Sequence, residues 1–313
     1  MKVRQILEYA AMRAAMGVAS RLPEQIAYPI AGGLGGLYLR FSKRRQEIAL
    51  RTLRNAFPDR SDAELLRHAK RGTGNLLKVA LDVARAGRFI KSGRFLERMD
   101  LSGFEWAKRP GPWIGVTGHL GSWEAASVAM ALSGYQVHVV ARLMKNPRAQ
   151  AWLARSRRAC GIHLHDRRGG IRAVTTALQH GAVALQAIDQ NQRLRGVFAP
   201  FFGELASCER AAATLAVRKG YPILVGSCTR VGQGFRFKFE IEDVVEPEQS
   251  GDIDADVLAT ITRMNQVMET LIRRYPDQYL WIHDRYRTRP PEEKAAAAAR
   301  AAATAEVSVI DRT

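Results

Sequence analysis

Cysteine is scarce in this chain. Three residues in 313, Cys160, Cys208 and Cys228, stand far apart and odd in number. No zinc spacing and no disulfide framework can be read from them, and a reducing compartment is the expectation. Acidic residues are also few: Asp and Glu number 30 against 48 Lys and Arg, a formal net charge of +18. Such an excess attracts nucleic acid, acidic headgroups, acidic proteins or phosphorylated substrates without choosing among them. Nucleic acid is the least suited, because the basic residues are scattered through helices with no recognition motif and no interleaved aromatic platform. Long apolar runs are missing from the N-terminus. Arg4, Glu8, Arg13 and Arg21 interrupt "MKVRQILEYAAMRAAMGVASRLPEQ". That excludes a secretory h-region and a clean span of roughly 18 uncharged residues. No serine sits in a G-x-S-x-G elbow, no cysteine is paired in sequence with a histidine, and no internal repeat or linker is visible.

What is present divides into three textures. Apolar content of 47% suits a sizeable core. Over the first 90 or so residues the pattern is helical. Ile6, Leu7, Tyr9, Ala10, Met16 and Val18 recur at helical spacing, and "IAYPIAGGLGGLYLRFSKRR" is apolar and Gly-rich before it ends in Lys43, Arg44 and Arg45. Residues 1–42 read as helices lying on or dipping into a bilayer, with those cations available to anionic headgroups. A buried helical hairpin of an ordinary core is the alternative. Residues 43–57 read as an amphipathic helix stopped by "FPD". A further helix starts at Ser61, with Glu64 three residues later as a capping box.

From about residue 97 short β-branched runs take over: "PWIGVTG", "YQVHVVAR", "GIHLHD", "GAVALQAID" and "YPILVGSCTR". Helical stretches over 121–133, 146–159, 170–180 and 205–219 separate them. This alternation implies an α/β fold, a helical N-terminal region followed by a mixed, largely parallel sheet flanked by helices. "FRFKFEIEDV" alternates like a half-exposed strand, and a long helix over about 254–274 follows. Residues 43–290 form one domain in this reading. Residues 291–313 form an Ala-rich tail, a loosely attached helix or an extension without structure.

The stretch "VTGHLGSWEAA", residues 116–126, carries the chemistry. In open α/β sheets ligands sit beyond the carboxyl ends of the strands, and His119 falls at such an end. Gly118 and Gly121 allow a tight turn and close approach by a substrate. A helix starting near Ser122 brings Glu124 back beside the imidazole. A neutral imidazole can take a proton from a hydroxyl while the carboxylate fixes its tautomer and stabilises the imidazolium. With no protein nucleophile in sight, the attacking group is expected to be a substrate hydroxyl. H-x4-E alone is a weak pattern that chance supplies often, so the strand–glycine–helix context matters.

"GHLGSWEAA" resembles the H-x4-D/E motif of the glycerolipid acyltransferase superfamily, and its H-L-G-x-W-E form is similar to that of the bacterial lipid A late acyltransferases. Other segments agree in order: "RRQEIALRTLRNAFPDRSDAE", "VARLMKNP", "RRGGIRAVTTALQHGAVALQAIDQN", "VFAPFFGELASCERAAATLAVRKGYPILVG" and "RYPDQYLWIHDRYRTRP". The resemblance covers about residues 5–290. It implies a glycerolipid-acyltransferase-like fold and transfer of an acyl chain from a thioester to a hydroxyl of a lipid A precursor. That hydroxyl commonly belongs to an acyl chain already attached to the disaccharide. The co-substrate is acyl-ACP or acyl-CoA, with acyl carrier protein the expected partner; no other cofactor and no metal are expected. By the same analogy His119 is the general base and Glu124 its partner. A related branch acylates mannosylated phosphatidylinositol from acyl-CoA, and a thioesterase could use the same base on water. The setting implied is the cytoplasmic face of a bacterial inner membrane, peripheral or monotopic. An anionic surface and an acidic carrier both suit the +18 charge.

The remaining candidates each keep a plainer alternative. Arg142 is expected to bind an acceptor phosphate or help an oxyanion, or else to form a structural ion pair. Arg172 faces phosphate or is solvated. Asp189 and Gln190, at another strand end, line the pocket or hold the loop. Asn146 reads as a helix cap before Pro147. His283 reads as structural. His163 and His165 read as part of a solvated strand rather than a metal site. The aromatics of "VFAPFFG" line an acyl groove or belong to the core.

Overall fold

The structure is a computed structural model, and it describes residues 3–104, 110–141, 143–166 and 169–293. Four helices come first: α1 (Val3–Arg21), α2 (Glu24–Phe41), α3 (Lys43–Ala56) and α4 (Asp62–Lys91). Helix α4 opens on the expected capping box. The Ser61 side chain accepts the Glu64 N–H, and Glu64 reaches back to the Ser61 N–H. Helix α2 packs on α4 through glycine: a Cβ at Gly35 would lie 2.5 Å from Gly74 Cα. The opposite side of α2 leaves Ile26, Ile30, Leu34, Leu37, Tyr38 and Phe41 exposed. One face is buried hairpin, and the other is an apolar stripe left open.

The sheet then builds from β1 (Met99–Gly103), β2 (Trp113–Thr117), β3 (Val137–Ala141), β4 (Ile162–Asp166), β5 (Val183–Ala187), β8 (Ile223–Arg230) and β9 (Phe237–Val245). Its order is β1-β9-β8-β2-β5-β3-β4. Pairs β8–β2, β2–β5, β5–β3 and β3–β4 are parallel, and β9 runs antiparallel to β8. This is the mixed, largely parallel sheet expected. The crossover helices are α5 (Trp123–Leu132), α6 (Pro147–Arg158), α7 (Gly170–Gln179) and α8 (Ala211–Lys219), and α9 (Ile253–Arg274) closes the domain. Alternation along the strands splits the core in two. Trp113, Val137, Val183 and Leu224 pack with α5 on one face. Ile114, Ala184, Ile223 and Val225 pack with α7, α8 and α9 on the other.

One expectation needs correction. Residues 205–208 are not helix. They belong to β7 (Glu204–Cys208), which pairs with β6 (Val197–Phe201) as a hairpin. Phe202 and Gly203 both take positive φ, 48° and 76°, the geometry of a two-residue hairpin turn. Burial of Ala206 and Cys208 against β6 outweighs the helix propensity of the Ala-rich run. Strand β1, "MDLSG", has too little alternation to be read from sequence. Of the two alternatives for the aromatics of "VFAPFFG", Phe201 and Phe202 take the core. Of the expected tail only 291–293 fall within the described residues, as helix.

Candidate active site

Strand β2 delivers the chain to Gly118 and His119, and the following turn is held from three directions. Gly121 N–H donates to Gln278 O at 3.1 Å, Ser122 N–H to Cys228 O at 2.7 Å, and Leu280 N–H to His119 O at 3.1 Å. From α4 the buried Asn75 amide donates to both Gly121 O, at 2.8 Å, and Gln278 O, at 3.0 Å. Gly121 has φ +63°, and a Cβ there would lie 2.1 Å from Cys228 O. The glycine makes the tight turn expected of it, and the close approach it allows is by the β8 backbone.

Asp189, two residues past the end of β5, meets this turn. One carboxylate oxygen accepts the His119 backbone N–H at 2.7 Å, and the other accepts Nδ1–H at 2.7 Å. The Asp189 side chain is 3% exposed and that of His119 17%. Burial works against the imidazolium, but the Asp189 carboxylate outweighs it and raises the His119 pKa above 6.5. Burial alone would push the Asp189 carboxyl up. His119 and its N–H groups instead hold it below the usual carboxylate range. With Nδ1 protonated, Nε2 carries the free lone pair. It faces the Gln190 amide nitrogen at 3.1 Å. The place beside the imidazole expected of Glu124 is taken, at Nδ1, by Asp189. Glu124, on the first turn of α5, instead pairs with Arg157 of α6. It still adds to the raised His119 pKa through its charge. The reason is topological: β5 is hydrogen-bonded beside β2, so its exit loop is closer to His119 Nδ1 than the helix that follows.

The loop after Asp189 is braced by the C-terminal segment. Buried Arg285 donates to Gln190 O at 3.1 Å and to Ser207 O at 2.7 Å. His283 Nε2 accepts the Asn191 N–H at 2.9 Å. Sequence reasoning missed Arg285, Arg157 and Asn75. Only Arg285 carried a signal, its place in "WIHDRYRTRP". Asn146 caps α6, its side chain accepting from Arg148 and Ala149 N–H. Arg172 is exposed on α7 without an ion-pair partner among the described residues. Arg142 lies outside the described residues. His163 and His165 share one face, and both rings stack on His138, at 4.6 and 5.1 Å. Among the described residues no group of three or more His, Cys, Asp or Glu is arranged to hold a metal.

His119 opens on a cavity of about 310 Å³ between α5 and the sheet. Its polar end holds His119, Glu124, Arg157 and Gln190, and its body is apolar, with Met130, Val139, Leu185 and Ile241. Trp113 and Leu224 line it at the amino ends of β2 and β8. Its length is therefore about that of β2, on the order of 13 Å. An imidazole lone pair facing a largely apolar slot suits proton transfer from a hydroxyl to which an alkyl-bearing electrophile has been brought.

Known proteins resemble this chain over most of its length. Residues 2–288 match the family described as bacterial lipid A biosynthesis acyltransferase. A lipid A biosynthesis lauroyltransferase of Escherichia coli (strain K12) is 28% identical over 285 residues, 86% of this chain and 88% of that one. A lipid A biosynthesis palmitoleoyltransferase of the same organism is 28% identical over 283 residues, covering 86% and 89%. A lipid A biosynthesis acyltransferase of Haemophilus influenzae is 26% identical over 286 residues, covering 87% and 88%.

Proposed function

The chain belongs to the bacterial lipid A biosynthesis acyltransferase family and is an acyltransferase, and from that premise we propose that it moves a fatty acyl chain from acyl carrier protein to a hydroxyl of a lipid A precursor, with His119 as general base. The observation that carries this reading is the state of the imidazole. Its Nδ1 is locked by buried Asp189, and its Nε2 lies at the mouth of an apolar slot with the Gln190 amide as its neighbour. The slot takes the acyl chain of the donor. His119 Nε2 takes the proton of the acceptor hydroxyl as its oxygen bonds to the thioester carbonyl carbon. The tetrahedral adduct collapses, the C–S bond breaks, and the thiolate takes the proton back from the imidazolium. Asp189 stabilises that cation. Glu124 holds Arg157 at the slot wall, where the guanidinium faces the charge that develops on the carbonyl oxygen.

The acceptor is a lipid, and the α2 stripe supplies a way to meet it. Leu34, Leu37 and Phe41 are 54%, 51% and 78% exposed, and Lys43, Arg44 and Arg45 follow directly. Among the described residues no helix is long and apolar enough to cross a membrane. The stripe is a surface anchor on an anionic leaflet, with cations on the headgroups. A donor-by-acceptor assay in detergent tests the whole reading. Acyl carrier protein thioesters and acyl-CoA are each offered with a lipid A precursor, a mannosylated phosphatidylinositol, or no acceptor. Product only from the carrier-linked donor and the lipid A precursor is expected. Product from acyl-CoA and the mannolipid would move the chain to that substrate pair. Free fatty acid regardless of acceptor would make it a hydrolase.

A further inference from the structure

A second cavity, also about 310 Å³, lies on the opposite face of the sheet, between β3 and β5 on one side and α7 and α8 on the other. The two cavities share a wall, and that wall is incomplete. Strands β3 and β5 pair from Val137–Val183 only as far as Val139–Leu185. Beyond that point Val140 and Ala141 bond to β4, while Gln186 and Ala187 bond to β2. The sheet splits at its carboxyl end, at the place where the chain leaving β3 turns to one face and the chain leaving β5 to the other. Crevices at such switch points are where open α/β sheets take ligands. Val140, Gln186, Ala187 and Gln190 line both cavities. Gln190 is the residue whose amide faces His119 Nε2.

The second cavity is graded. Its floor is apolar, with Ile114, Val174, Ala184 and Leu215. Its mouth carries side-chain amides. Those of Asn191 and Gln192 are already engaged, with Thr288 and Glu209. Among the described residues the Gln186 amide and the Gln190 carbonyl oxygen have no partner. The open Gln186 amide and Gln190 carbonyl oxygen above an apolar floor fit an alkyl chain with polar groups near its head.

We propose that this second cavity binds the hydroxyl-bearing acyl chain of the acceptor lipid, so that donor and acceptor chains lie on opposite faces of the sheet and meet through the split beside His119. The proposal rests on the functional reading above. The chain threads past Gln186, which bonds to its ester or amide link. Its hydroxyl displaces the Gln190 amide from His119 Nε2. The base is thereby offered to the acceptor from one face while the thioester arrives from the other.

The test uses the wild-type protein and a lipid A precursor carrying a diazirine at the end of its hydroxyacyl chain. The expected photolabel lies on α7 or α8, near Val174 or Leu215, while a donor with a terminal diazirine labels around Met130 and Val139. Acceptor label in the first cavity, or only on the protein surface, would overturn the proposal. So would label on α7 or α8 from a pantetheine photoprobe. Val174→Phe, which fills the second cavity, is expected to raise the acceptor KM at least tenfold and leave the donor KM unchanged; unchanged acceptor KM in the folded variant counts against the proposal. Failure of the wild type to acylate any glycolipid would overturn the functional reading and this proposal together. Transfer with label elsewhere overturns the second cavity alone.

Discussion

Replacing Asp189 with asparagine keeps the volume of the side chain and removes one buried charge. Two effects follow from the geometry. The carboxylate accepts Nδ1–H at 2.7 Å and so leaves the lone pair on Nε2. An asparagine can turn its NH2 towards Nδ1, which places the proton on Nε2 and takes away the base. The same exchange in a serine-protease triad costs about 10⁴ in kcat. A charge-assisted hydrogen bond is worth about 1.5–3 kcal/mol, or roughly 10–10² in rate, even without a tautomer change. A fall of about 10²–10⁴ in kcat with little change in KM is the expectation. The second effect is on pH. In the wild type the His119 pKa is raised above 6.5 by Asp189 against burial. Activity needs the neutral imidazole, so the acid limb of the profile lies above pH 6.5 and activity rises through it. Without the carboxylate, burial favours the neutral form with less opposition and the limb moves to lower pH. The assay is kcat/KM for one donor and one acceptor from pH 5 to 9. A loss below about tenfold, or a limb that stays or moves upward, would refute the reasoning.

Other substitutions probe other layers. Gly121→Ala forces a Cβ to 2.1 Å from Cys228 O at positive φ. It should displace the turn that carries His119 and cost roughly 10²-fold in kcat, read in the same assay, with a lowered Tm. The buried Asp82 carboxylate bonds Arg230 and accepts from Tyr28 OH at 2.7 Å. Asp82→Ala strands the Arg230 cation and should cost about 3–5 kcal/mol, a Tm drop of about 5–10 °C by calorimetry. Leu34→Ser with Leu37→Ser should weaken binding to anionic vesicles by about 3 kcal/mol, roughly a hundredfold, in a sedimentation assay, while activity on detergent-solubilised acceptor stays near wild type.

Legibility in the sequence followed the range of the forces involved. Local signals were read well: the Ser61–Glu64 box, the Asn146 cap, the β-branched runs of the parallel strands and the glycine turn after β2 all act within a few residues. The hairpin of β6 and β7 was misread because its stability comes from pairing and burial, which an Ala-rich run does not announce. The site was legible as far as His119, because a histidine at a strand end is a local feature. Its partner was not. Whether Glu124 or Asp189 reaches Nδ1 depends on β5 lying beside β2, a neighbourhood separated by 70 residues of chain. Asn75 acts through the backbone carbonyls of Gly121 and Gln278, contacts that leave no pattern in sequence, and Arg285 reaches Gln190 O across 95 residues of chain.

The central claim is that His119 Nε2 deprotonates the acceptor hydroxyl. It is tested most directly by single-turnover transfer from an acyl carrier protein thioester to a lipid A precursor, with wild type and His119→Ala side by side and circular dichroism confirming the fold of both. The account predicts transfer by the wild type and at least a thousandfold slower transfer, about 4 kcal/mol in barrier, by the folded variant. A folded His119→Ala protein that transfers at the wild-type rate would contradict it.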